Sequence, residues 1–141
     1  MEVSTEDVET AIARSIDHAQ QSIVSSYHHA TSSPRGNLYA EVLLACALAN
    51  TDELGYFPSA NVRDPLSKIM GKHYDIPAFA QHLRDFCEEK RGPVLQRTGH
   101  PRRYGFRFIN PLMEPFVMMK GISKGLVKSD TLEAKSSPTL L

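Results

Sequence analysis

This chain carries no net charge, no paired cysteines and no hydrophobic run of membrane length, and each absence removes a class of function. Sixteen Lys and Arg are cancelled by sixteen Asp and Glu. Strong, sequence-blind affinity for nucleic acid, which a high isoelectric point confers, is therefore excluded, and any such binding has to come from a local patch. Cys46 and Cys87 are far apart, and neither belongs to a CxxC pair. Both fall in apolar helical patterns, as buried free thiols do, which points to a reducing, cytoplasmic setting. The longest apolar run, Val42 to Ala49, is far short of the ~20 residues that span a bilayer, so no membrane role is expected. No basic head precedes an apolar stretch in the manner of a secretory signal, and no internal repeat is present.

Catalytic and cofactor signatures are missing too. There is no GxSxG elbow. His18, His28, His29, His73, His82 and His100 include no HxxxH or HExxH pair, so neither a metal site nor a cofactor is expected. The nearest approach to a phosphate-binding loop, Gly121 to Ser129, has Leu126 where the second glycine should stand, and it cannot wrap a phosphate in backbone N–H groups. No catalytic residues are assigned, and an enzyme is not expected. An apolar content of 41 % and a charged content of 23 % are ordinary for a globular domain with a real core.

What is present reads as an α+β order of elements. Val8, Ile12, Ile16, Ala19, Ile23 and Tyr27 recur every three or four residues behind a Ser4 to Asp7 cap, giving a long amphipathic helix. Its stripe suits either the module's own core or a partner. Thr31 to Asn37 is a turn-rich joint. Leu38 to Ala49, apolar nearly all round, reads as a buried central helix. Gly55 to Pro58 allows a short edge strand. Ser59 or Asn61 can cap a third helix over Val62 to Met70, ended by Gly71. Asp75 and Pro77 open a fourth, with Ile76, Phe79, Ala80, Leu83 and Phe86 inward and Ala78, Gln81, Asp85 and Glu88 outward.

A hairpin follows. Val94 to Thr98 leads through Gly99-His100-Pro101-Arg102 to Arg103 to Phe108, with Tyr104, Phe106 and Phe108 on one side and Arg103 and Arg107 on the other. Asn110-Pro111 starts a last short, strongly apolar helix ending at Gly121. The expected fold is a winged helix: a helix-turn-helix with a small three-stranded antiparallel sheet, extended by a long N-terminal helix and a short C-terminal one. The division is 1–33 for the long amphipathic helix packed on the module, 37–122 for the winged-helix domain and 123–141 for a disordered tail.

Several stretches together resemble the C-terminal winged-helix region of bacterial P-loop ATPases of the AAA type. They are Leu44 to Ala49, Gly55-Tyr56-Phe57, Asp64-Pro65-Leu66, Phe79 to Leu83, Arg91 to Leu95, Tyr104 to Phe108 and Asn110 to Val117. The resemblance covers roughly residues 12–122. It implies a module that follows nucleotide-binding and lid domains and contacts DNA, other domains or other subunits. It brings no active site, and by it the chain looks like a fragment that starts at the last lid helix and lacks the ATPase core.

Between Lys90 and Glu114 every charged residue is basic. Such a hairpin can lie on phosphates, or can be a solvated edge kept soluble by charge. The candidate DNA-contacting residues are Lys72, His73, Gln81, Arg84, Arg97, His100, Arg102 and Arg103, with Gln81 and Arg84 near bases and the wing arginines on phosphates. The acids Asp85, Glu88 and Glu89 on the fourth helix oppose this, so weak or accessory binding of double-stranded DNA is expected. The alternative is a protein-interaction module that docks on the parent ATPase core or on a second copy.

Overall fold

A computed structural model of the chain describes residues 5–33, 38–99 and 103–127. Among these, five helices and three strands give an α+β architecture: α1 (Thr5–Thr31), α2 (Tyr39–Leu48), β1 (Phe57–Pro58), α3 (Ala60–Met70), α4 (Ile76–Phe86), β2 (Leu95–Thr98), β3 (Gly105–Phe108) and α5 (Met113–Ser123), with a 3-10 turn at Glu89–Arg91 after α4. The strands form one antiparallel sheet in the order β1-β3-β2. Phe57 pairs with Phe106, and Leu95 and Arg97 pair with Phe108 and Phe106.

The core is where the apolar periodicities converge. Val42 to Ala47 of α2 are all buried, which explains why that helix has no polar face. Val62 and Leu66 of α3, Phe79, Leu83 and Phe86 of α4, Phe57, Leu95, Phe106 and Phe108 of the sheet, and Met113, Val117 and Met118 of α5 close around it. Phe106 and Phe108 point inward as the strand alternation requires. The α2–α5 crossing depends on Gly121, where a Cβ would lie 2.7 Å from the Leu44 Cδ1 methyl. At the hairpin, Gly99 has φ +96° and its α-carbon faces the Arg103 carbonyl so closely that a Cβ would come within 2.6 Å.

The capping is less conventional than the residue types suggest. Neither Ser59 nor Asp75 caps its helix through the side chain. The Asn61 amide instead reaches back to the Asn50 carbonyl at 2.9 Å, and Asp75 accepts from His73. Asn110 does act locally, accepting from the Leu112 N–H at 3.0 Å.

The long helix departs from its expected packing. Ile23, Tyr27 and Ala30 are buried, but Val8 and Ile12 are 46 % and 54 % exposed. Among the described side chains, the buried ones of α1 lie in its last third, and the helix packs beside α2, α5 and the 3-10 turn. An amphipathic pattern states that a helix has a face and says nothing of what covers each turn. In the segment expected as a tail, Leu126 and Val127 pack partly buried against the core. The remainder of that tail, 128–141, lies outside the described residues, as do the Ser4 cap and most of the joint, 34–37.

Candidate nucleic-acid interface

The surface in question is made by α4, the turn before it and the hairpin after it. Lys72 and His73 lie in the turn between α3 and α4 and make local contacts. The Lys72 ammonium lies 5.4 Å from the Tyr74 ring centroid, and His73 Nε2 donates to Asp75 Oδ1 at 3.0 Å. Gln81 and Arg84 are exposed on α4, and Arg97 and Arg103 are exposed on the hairpin. His100 and Arg102 lie outside the described residues. At 1.5 Å per residue α4 is about 16 Å long, so Lys72 and His73 stand at the opposite end of the helix from Arg84.

Arg84 and Arg97 are brought together. They line one open groove of about 340 Å³ between the end of α4 and β2, with Cys87, Pro93, Leu95, Gln96 and Ile109, and Glu88 as its single acid. The Arg97 guanidinium stacks 4.6 Å over the Tyr104 ring, which orients its plane. Burial pushes the Cys87 thiol up to about 11, the nearby Arg97 charge working against it.

The expected outward position of Asp85 is corrected by the fold: its residue is only 3 % exposed. At 100° per residue Asp85 sits about 120° from Phe79, at the margin of the apolar face, where α2 and the 3-10 turn can cover it. Tyr39 Oη donates to Oδ2 at 2.7 Å, Gln81 Nε2 donates to Oδ1 at 2.7 Å, and the Lys90 ammonium lies 3.2 Å from Oδ1. Burial alone would raise the Asp85 carboxyl. The donors Tyr39, Gln81 and Lys90 outweigh it and hold the group below the ordinary carboxylate value. In turn, the bond to Asp85 raises the Tyr39 hydroxyl and the Lys90 ammonium. Lys90 also lies 3.5 Å from Glu88, so the second acid of this helix end is matched as well.

The same cluster anchors the long helix. The Arg91 guanidinium stacks 3.7 Å over the Tyr39 ring and donates to the carbonyls of Ala30 and Ser32 at the C-terminus of α1. His29 Nε2 donates to the Lys90 carbonyl at 3.0 Å. A cation against the last carbonyls of a helix both satisfies them and meets the negative end of its dipole.

Arg107, which the sequence presents as one more cation of the wing, is engaged by the fold. With the Gln96 amide oxygen toward it, Nη2 and Nε donate at 2.7 and 2.9 Å. Nη1 donates to the Leu54 carbonyl at 3.2 Å, and the guanidinium stacks 4.5 Å from the Tyr56 ring centroid. It ties β1 to the hairpin with three of its five N–H groups, which leaves one hydrogen on each terminal nitrogen.

Tyr39, Lys90 and Arg91 are the residues that periodicity did not single out. Their partners lie dozens of positions away, and the one local signal was Gln81 four residues before Asp85, a spacing that places two side chains in reach. Among the described residues no cluster of metal-binding side chains occurs, and no helix is long and apolar enough to cross a membrane. No protein family, curated protein or solved structure matches this chain.

Proposed function

We propose that the chain is a winged-helix module that contacts double-stranded DNA through α4 and the β2–β3 hairpin. The order α2, β1, α3, α4, β2, β3 and the sheet order β1-β3-β2 fit that architecture, with the hairpin as the wing. The observation that carries the reading is the inward, donor-matched Asp85. With that charge neutralised, the solvent side of α4 offers Ala78, Gln81 and Arg84, and Arg84 faces Arg97 across one groove. Phosphate contacts from Arg84, Arg97 and Arg103 would set affinity, and Lys72 at the far end of α4 would add to them. The resemblance to AAA-type ATPases supplies the context, a non-catalytic module serving a parent ATPase.

The test is fluorescence anisotropy with a labelled duplex at about 50 mM salt. Binding in the tens of micromolar or tighter is expected, weakened several-fold by Arg84→Ala with Arg97→Ala and unaffected by Lys124→Ala beside Tyr27. No binding in that range, or equal affinity for the double variant, removes the proposal.

One observation favours a second reading, protein interaction. The exposed Val8 and Ile12 of α1 are an apolar face without a cover among the described residues. Self-association through it predicts a concentration-dependent rise in sedimentation coefficient that Val8→Ser with Ile12→Ser abolishes. A single monomeric boundary at all concentrations counts against it.

A further inference from the structure

We propose that Asp85, Gln81 and Arg84 form a positioning relay, in which Gln81 reads no base and instead aims the Arg84 guanidinium at one backbone phosphate. The inference rests on the DNA-binding reading and deepens it. The expectation for an exposed glutamine on such a helix is a bidentate contact to adenine, which requires its amide oxygen and nitrogen together. Here Gln81 Oε1 already accepts from Arg84 Nε at 3.3 Å and from Arg84 Nη2 at 2.8 Å, so both of its lone-pair positions are taken. Its Nε2 is held by Asp85 Oδ1 at 2.7 Å. The amide is therefore oriented from below by a buried carboxylate and spends its acceptor on the arginine above it.

The anchor of the relay is rigid. Asp85 is buried, and Tyr39 Oη and Lys90 fix the rest of its carboxylate from α2 and from the 3-10 turn. Substituted at Gln81, an apolar residue would leave Arg84 on a flexible stem with its full rotamer entropy, which binding would then have to remove. With the relay intact, Nη1 and the second hydrogen of Nη2 carry no partner among the described residues. They form the outward edge of a planar fork, the geometry that suits two oxygens of a phosphate. Arg97, held over Tyr104, reaches the same groove from the wing. Two guanidinium groups of fixed orientation on either side of a groove describe a site for one phosphodiester strand. The contact is to backbone rather than sequence, in keeping with α4's lack of any other side chain able to pair with a base edge near Arg84.

Gln81 is solvent-exposed, so Gln81→Ala and Gln81→Met leave the apolar core untouched; Asp85 loses one donor in them and keeps Tyr39 Oη and the Lys90 ammonium. In duplex-DNA titrations across salt concentrations, both variants should weaken binding about 3- to 10-fold while keeping the wild-type slope of log K against log salt, because the Arg84 charge remains. Arg84→Ala should weaken binding and lower that slope by about 0.9, the value for one phosphate contact. Arg84→Lys should keep the slope but lose affinity, since a lysine cannot span Gln81 and a phosphate together. In the free protein, 15N relaxation of Arg84 Nε should show an ordered side chain that becomes mobile in both Gln81 variants. Wild-type affinity in Gln81→Ala, or an Arg84 Nε equally mobile with and without Gln81, overturns the relay and leaves the DNA reading standing. Absence of duplex binding by the wild-type chain overturns the DNA reading and the relay's purpose together.

Discussion

Asp85 is the one charged side chain that the fold buries among the described residues, and the arrangement around it decides what α4 can present. A buried carboxylate is tolerable only when its oxygens are filled, and here two donors and an ammonium fill them. Its acidity is held below the ordinary value, so folding favours the ionised form. The stabilising contribution is therefore complete above the unfolded carboxyl's pKa of about 3.9 and is lost as pH falls through the lower folded value. Asp85→Asn should cost about 1–3 kcal/mol at pH 7, as expected when buried donors lose a charged acceptor. Urea midpoints of the wild type and Asp85→Asn should be clearly separate at pH 7 and closer together at pH 3. A separation of equal size at both values would mean that shape rather than charge holds the network.

At the scale of elements, the sheet is too short to be held by its ladder alone, since β1 contributes only Phe57 and Pro58. Arg107 supplies the missing connection by stacking on Tyr56 and bonding the Leu54 carbonyl ahead of β1, with Gln96 on the opposite strand. Arg107→Lys keeps the charge but not the planar fork. It should release β1, seen as faster amide hydrogen exchange at Asp52, Tyr56 and Phe57 with little change in α4, and lower global stability by about 1–2 kcal/mol. Unchanged exchange around Tyr56 would show that the Phe57–Phe106 packing suffices. The same residues show what the sequence makes legible. The hairpin, α3 and α4 could be read because strand alternation and helical period are local signals, as with Phe106, Phe108, Leu83 and Phe86. Arg107 as a clamp, Asp85 as a buried anchor and Arg91 as the C-terminal anchor of α1 could not, because Tyr56, Tyr39 and Ala30 meet them only in space. Of the candidate site, the positions of Arg84 and Arg97 were readable, whereas their common groove and the commitment of Gln81 were not.

For the whole molecule, zero formal charge means that no long-range field draws the chain to DNA, and the interface must act through a few close contacts. Arg107 is half-buried and engaged by Gln96, Leu54 and Tyr56, Lys90 is matched to Asp85 and Glu88, and Lys72 stands about a helix length from Arg84. Among the described residues, Arg84, Arg97 and Arg103 are then the exposed cations placed to meet one stretch of backbone. Three phosphate contacts imply a salt slope of about −2.7, so affinity should fall roughly 40-fold between 50 and 200 mM salt. That is a shallow dependence beside the slope of about −10 of a strongly basic repressor surface, and it suits an accessory contact within a larger assembly. It also separates the two faces of the molecule. Val8→Ser with Ile12→Ser alters the far end of α1 and should change sedimentation while leaving the salt slope of DNA binding untouched. A slope that shifts with those two residues would place α1 in the DNA contact, and the groove between α4 and β2 would no longer account for binding by itself.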